Sequence, residues 1–222
     1  MAADLPFLNR AFAFGSALVY WSGVWLQARR VRRWIGRSPN VKPQGRMEKL
    51  LWAGWFVVVG LWLTIPFIAG KEAFGLWAAI CSPLIHPAAT AAGIALMVAG
   101  YAATLWSYSA MGRNWRMGIK QGEQTMLVTR GPFQFVRHPI YFFQIVMLVG
   151  LALLLPTLVS LIAMVIHLFC VLVKTAGEES FLLAVHGADY QDYQSCTGKL
   201  LPKYPRRKSE PGKDGATRPK CD

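Results

Sequence analysis

Arg137-His138-Pro139-Ile140-Tyr141 and, beyond a charge-free run, Glu178-Glu179 are the residues whose types and spacing could do chemistry. Pro139 suits the first turn of a helix, and the residue before a proline is pushed out of helical geometry. His138 is therefore expected at the entry to a helix. A helix N-terminus offers free backbone N–H groups and a partial positive charge, which suit an anion, and Arg137 adds a full charge. The plainer alternative makes Arg137 a topology anchor and His138 an N-cap. Glu178 and Glu179 directly follow a hydrophobic run, and adjacent carboxylates repel. One of them could accept hydrogen bonds from a ligand. Equally, Lys174 and Glu178 could pair at i, i+4 on a solvated helix end, worth a few tenths of a kcal/mol at most.

These clusters need elements to hold them. The chain has 222 residues, 54% hydrophobic and 16% charged. No Asp, Glu, Lys or Arg falls in 11–28, 50–70, 73–112 or 138–173. At about 1.5 Å rise per residue, about 20 apolar residues cross a bilayer. So many long uncharged runs exclude a water-soluble fold. The expectation is an all-α, polytopic integral membrane helical bundle of about five transmembrane helices. Spans are placed at 11–28, 50–70, 88–108, 140–155 and 158–175. The 36 uncharged residues of 138–173 would make one helix about 54 Å long, against a hydrocarbon core of about 30 Å. Pro156 near its middle disrupts helix hydrogen bonding, so a helical hairpin over 140–175 is expected, turning at Leu155-Pro156-Thr157. The 73–87 piece is too short to cross, carries two prolines, and reads as interfacial or re-entrant.

Charge bias orders the spans. The net charge is +13, with Lys and Arg gathered in the connections. Five spans put 29–49, 109–139 and 174–222 on one side, with 22 of the 24 Lys and Arg residues. The positive-inside rule makes that side cytoplasmic, with the N-terminus outside and the C-terminus inside, in a cell inner membrane. The basic charge is explained by topology and by contact with anionic membrane lipids, so no nucleic-acid partner is expected. MAADLPFLNR lacks the basic region of a signal peptide, and the first run is expected to be a retained span. Cys81, Cys170, Cys196 and Cys221 show no CxxC or Cys/His metal spacing and read as free thiols, with no metal expected. His167 reads as a hydrogen-bonded residue inside the bundle. Tyr190 and Tyr193 are expected to face the membrane surface, and the nine tryptophans to serve as belt and packing. Residues 205–222 are polar, rich in Pro and Gly, and expected to be a disordered basic tail. No GxGxxG or Walker loop is present, so a nucleotide-like ligand would not sit on a Rossmann turn.

Together the motifs resemble the isoprenylcysteine carboxyl methyltransferase family, which is related to the phospholipid N-methyltransferases and more distantly to sterol reductases. The resemblance runs over roughly 112–203. It passes through Thr125-Met126-Leu127-Val128, Gly131-Pro132-Phe133, and Arg137 to Tyr141. It resumes at Glu178-Glu179, Gly187, Tyr190, Tyr193 and Pro202. It implies three regions: N-terminal spans one to three over 1–111, a methyltransferase-like region over 112–204, and the tail. It also implies a cytoplasmic S-adenosylmethionine site over which the C-terminal segment folds back. By position, the cofactor would touch Thr125, Met126, Leu127, Val128, Phe133, His138, Pro139, Ile140, Tyr141 and Glu178. Glu178 and His138 would serve the catalytic centre, and Lys174 would bind the acceptor. The chain departs from the family pattern in three places. Thr125 replaces a His, Phe133 replaces a Tyr but keeps a stacking face, and Lys174 replaces an Arg and loses bidentate carboxylate recognition.

The function implied is methyl transfer from S-adenosylmethionine to a lipophilic acceptor drawn from the bilayer. That acceptor could be a prenylated cysteine, a phospholipid amine, a quinone or lipid intermediate, or a small thiol. Two rival classes are an NADPH-dependent reductase of the sterol type and a non-catalytic membrane scaffold. The Glu pair and the short chain argue against the reductase. The retention of His138, Tyr141 and Glu178 argues against the scaffold.

Overall fold

The computed structural model describes residues 7–40, 43, 45–69, 85–116 and 126–203. Among these residues six α-helices follow one another: α1 (Phe7–Ile35), α2 (Gly45–Ile68), α3 (Pro87–Met111), α4 (Pro139–Leu154), α5 (Leu158–His186) and α6 (Ala188–Cys196). Short 3₁₀ turns cover Gly112–Asn114 and Gly131–Gln134. The all-α expectation is borne out. The 73–84 part of the interfacial piece, Thr125 and the 205–222 tail lie outside the described residues.

Helices α2, α3 and α5 are long and apolar enough to cross a membrane, and α4 is a shorter apolar helix. Their outer faces carry exposed apolar side chains such as Phe56, Val98, Val165 and Phe169. Such an inverted surface suits lipid rather than water. The chain is an integral membrane helical bundle.

The hairpin forms where the sequence places it. Pro156 has no N–H to continue α4, and α5 begins after Thr157 with a reciprocal capping box. The Thr157 hydroxyl accepts from the Ser160 N–H at 3.1 Å, and the Ser160 hydroxyl accepts from the Thr157 N–H at 3.1 Å. At this end Asn9 of α1 donates to Thr90 of α3 and to the Leu154 carbonyl at the close of α4. At the other end Val31 of α1 packs with Tyr108 and Trp115, and Glu48 of α2 meets Lys174 of α5. Helix direction therefore alternates, and the C-terminal end of α1, the start of α2, the end of α3 and the start of α4 gather at one pole.

Helices α3 and α4 approach closely through glycine. A Cβ on Gly93 would stand 2.8 Å from the Gly150 carbonyl oxygen, and one on Gly150 would stand 2.7 Å from that of Gly93. Small residues give membrane helices this proximity, where packing replaces the hydrophobic drive. At 29 residues, α5 is about 43 Å long and outruns the hydrocarbon core. Its last turns, from about residue 178, stand beyond the membrane-crossing stretch.

Two local expectations are corrected. Cys170 is free and buried, but Cys196 is disulfide-bonded. Spacing along the chain does not reveal which thiols meet in space. His167 is buried, yet neither ring nitrogen has a hydrogen-bond partner among the described residues.

Candidate functional site

Pro139 opens α4, and His138 occupies the N-cap position with φ −124° and ψ 62°. Its side chain makes no capping hydrogen bond, so it is no ordinary N-cap. The buried imidazole instead lies between two carboxylates. Nδ1 stands 3.4 Å from Glu178 Oε2, and Nε2 stands 3.5 Å from Glu179 Oε1. The second contact is electrostatic, because Nε2 has no hydrogen-bond partner among the described residues. Burial pushes the His138 pKa down, but the hydrogen bond of Glu178 and the charges of both glutamates outweigh it and raise it above 6.5.

The two glutamates divide. Glu178 Oε1 accepts from the Tyr141 hydroxyl at 2.9 Å. Glu179 Oε1 accepts from Arg137 Nε at 2.8 Å, and Lys199 lies 3.7 Å from its other oxygen. Burial raises the Glu179 pKa, but His138, Arg137 and Lys199 together pull it down to about 2. Lys174 does not pair with Glu178 at i, i+4; it is buried and meets Glu48 across helices at 3.4 Å.

The C-terminal segment clasps the head of α4. The Arg137 and His138 N–H groups donate to the Gly198 and Lys199 carbonyls at 2.8 and 3.1 Å. Val136 pairs with Gly198 in an isolated parallel bridge. Arg137 also donates to the Thr197 and Gln194 carbonyls, and the Tyr193 hydroxyl donates to the Phe133 carbonyl at 2.6 Å. Tyr190 is fully buried, which corrects its expected place at the membrane surface, and Tyr193 is half-buried. Arg137 is thus committed to holding the segment as well as to bordering the site.

One cavity of about 310 Å³ collects the residues singled out in the sequence. Met126, Leu127, Val128, Phe133, His138, Pro139, Ile140, Tyr141, Lys174 and Glu178 all line it. Thr125 lies outside the described residues. Sequence reasoning missed the opposite wall. Trp52, Trp55, Phe56 and Val59 of α2, Trp21 and Val24 of α1, and Tyr108, Trp115 and Arg116 after or near the end of α3 complete the lining. Trp55 lies parallel to the Tyr141 ring, centroids 6.2 Å apart and 7° between planes. The α2 residues recur at i, i+3, i+4 and i+7, a helical face whose aromatic content was the available signal.

These walls coincide with a known sequence pattern. Residues 88–189 match the phospholipid methyltransferase family. The kinship suspected from the motifs is borne out at that level. The match takes in α3, α4 and α5, and with them His138, Tyr141, Lys174 and Glu178. No curated protein matches the chain. The matched stretch, just under half of this membrane-embedded bundle, suggests membrane methyltransferase activity. Helices α1 and α2 lie outside the matched stretch yet supply one wall of the cavity.

Proposed function

We propose that this protein transfers a methyl group from S-adenosylmethionine to a lipophilic acceptor. The observation that carries the reading is the Glu178 carboxylate, held by Tyr141 and His138 inside a cavity walled by the motif residues. The residues present fit the cofactor. Glu178 retains acceptor capacity for hydroxyl or ammonium groups. The first turn of α4, without a side-chain cap, offers N–H groups to a carboxylate. Phe133, Met126, Leu127 and Val128 supply apolar wall and backbone, and Thr125 belongs to the same motif.

S-adenosylmethionine supplies a methyl group already activated by its sulfonium sulfur. The chain has to orient the partners and exclude water. His138, fixed between Glu178 and Glu179, holds Glu178 in place and keeps local charge balanced. Trp55 stacked on Tyr141 closes the wall facing α2. The acceptor's lone pair takes the methyl group, and any proton it carries leaves to solvent.

A second recess of about 280 Å³ between α1 and α2 is lined by Ala17, Leu18, Ser22, Trp25 and Leu63. It shares Trp21 and Val59 with the main cavity. Leu18 and Trp25 are exposed on the outer face of the bundle. This supports lateral entry of an acceptor whose hydrocarbon lies in membrane lipid. The basic pole is read as cytoplasmic in a cell inner membrane, so the cofactor enters from the cytoplasm.

Calorimetry with S-adenosylhomocysteine on detergent-purified protein tests the reading. Binding is expected, and Glu178→Gln should weaken it about ten- to a hundredfold, as for loss of a charge-assisted hydrogen bond. Unchanged binding in both Glu178→Gln and His138→Ala would overturn the site assignment. NADPH binding in place of S-adenosylhomocysteine would replace methyl transfer with reduction.

A further inference from the structure

The outward face of α1 changes character within one turn. Leu18, Val19, Trp25 and Leu26 are exposed apolar residues, and Arg29, Arg30, Arg32 and Arg33 follow on the same side, all four exposed. At about 100° per residue these arginines spread over an arc of about 160°. Gln27 and Val31, on the opposite side of the helix, are buried against the bundle. From Leu26 to Arg29 the helix rises about 4.5 Å, so the guanidiniums stand where hydrocarbon gives way to head groups. Two of them are braced on tryptophan. The Arg29 guanidinium carbon lies 3.7 Å from the centre of the Trp25 ring, and that of Arg30 lies 4.5 Å from the centre of the Trp34 ring. Stacking occupies one flat face of a guanidinium and leaves its in-plane N–H groups to donate at the edge. No Asp or Glu occurs between residues 5 and 47, and none of the four arginines pairs with a carboxylate among the described residues. The positive-inside rule counts charges and is indifferent to the face they occupy or the rings they stack on. This arrangement has both features, and it lies in line with a lipid-facing stripe.

We propose that the end of α1 is a binding surface for an anionic phospholipid. Arg29 and Arg33, one turn apart, donate to its phosphate, and Arg30 and Arg32 flank it. Its acyl chains run along Val19 and Leu26. Neither of these residues lines the recess toward α2, so that recess stays open. A zwitterionic lipid offers the same phosphate but brings its own ammonium among four cations, which disfavours it. The site is independent of the methyl-transfer reading.

The test uses the full chain in phosphatidylcholine nanodiscs with two photoactivatable probes, a phosphatidylglycerol and a phosphatidylcholine. Both carry the same diazirine close to the glycerol and differ only in the head, and mass spectrometry locates the adducts. Saturable labelling of residues 25–34 is expected from the phosphatidylglycerol probe, at a concentration about thirtyfold lower than the phosphatidylcholine probe needs. Unlabelled phosphatidylglycerol should compete, and soluble glycerol phosphate should not. Raising salt from about 0.1 M to about 1 M shortens the screening length from about 10 Å to about 3 Å and should shrink the preference. Arg29→Gln combined with Arg33→Gln should lower it about tenfold. Six of the eight basic residues of 29–49 then remain to hold the orientation. Equal labelling by the two probes overturns the proposal, as does a preference undiminished in the folded double variant. Competition by glycerol phosphate as strong as by the lipid also overturns it, since the surface would then take a soluble phosphate. Where the double variant does not fold, the salt series on the unsubstituted protein decides, and a preference indifferent to salt overturns the proposal.

Discussion

Side chains of adjacent helical residues diverge by about 100°, and on α5 that divergence gives Glu178 and Glu179 different surroundings. Glu178 faces Tyr141 and the cavity, whereas Glu179 faces Arg137 and Lys199 in the clasp. His138 touches both, so the clasp and the cavity share a titratable group. The His138 pKa is raised above 6.5, so its stabilising contribution is full below about pH 6.5 and is lost as pH rises through the raised value. The Glu179 pKa is lowered from 4.5 to about 2, so its contribution is full above about pH 4.5 and is lost as pH falls toward 2. Both are present together between about pH 4.5 and 6.5. Thermal unfolding across pH in detergent is expected to show this window. His138→Gln should flatten the alkaline fall and shrink the acid limb, since only Arg137 and Lys199 then hold the Glu179 carboxyl down; an alkaline limb identical to that of the unsubstituted protein would refute the His138 assignment. His138, Tyr141 and Glu178 were legible in the sequence because a proline fixes the helix entry and charges are rare beside it. The partners of Lys174 and Arg137 were not, because Glu48 and the Thr197 carbonyl lie far off in the chain and meet them only after packing.

The helical hairpin is the element that brings residue 138 and residue 178 to one pole. Its turn was readable because Pro156 interrupts a run too long for the bilayer, and Thr157 with Ser160 supplies the cap. The α3–α4 contact was not readable, since a glycine in a hydrophobic run gives no hint of which helix it meets. In the fold, Gly93 and Gly150 oppose each other so closely that a side chain on either would meet the partner's backbone. Gly150→Val is therefore expected to force α3 from α4 at an overpacking cost of about 1–3 kcal/mol. It should lower the unfolding midpoint and, by displacing the head of α4, weaken S-adenosylhomocysteine binding. Ala at exposed Gly60, whose Cβ would meet nothing within 4 Å, is the control and should leave both unchanged. A midpoint unaffected by Gly150→Val would mean that the helices do not depend on this contact. The C-terminal clasp was legible only in part. The resemblance implied a fold-back, but Gly198, which is held so close to Leu201 that a Cβ would collide, carried no distinguishing sequence context.

At the scale of the whole molecule, charge and helix direction agree. The pole that holds the cavity also receives the ends of the three segments carrying 22 of the 24 basic residues. Residues from α1, α2, α3, α4 and α5 line that cavity, although the family match covers only residues 88–189. The matched stretch and the α1–α2 wall are thus separate parts of the chain, and that wall holds Trp21, Trp55 and the recess toward lipid. The proposed function requires the basic pole to face the compartment that holds S-adenosylmethionine. In a background with the four native cysteines replaced by serine, Ser38→Cys reports on the basic pole and His86→Cys on the opposite one; both positions are exposed. A membrane-impermeant maleimide applied to intact spheroplasts should modify His86→Cys at once. It should modify Ser38→Cys only after the membrane is opened, because the positive-inside rule holds the Arg-rich end of α1 in the cytoplasm. The reverse pattern would put the cavity outside, away from the cofactor supply, and would invalidate both the orientation and the route of cofactor entry.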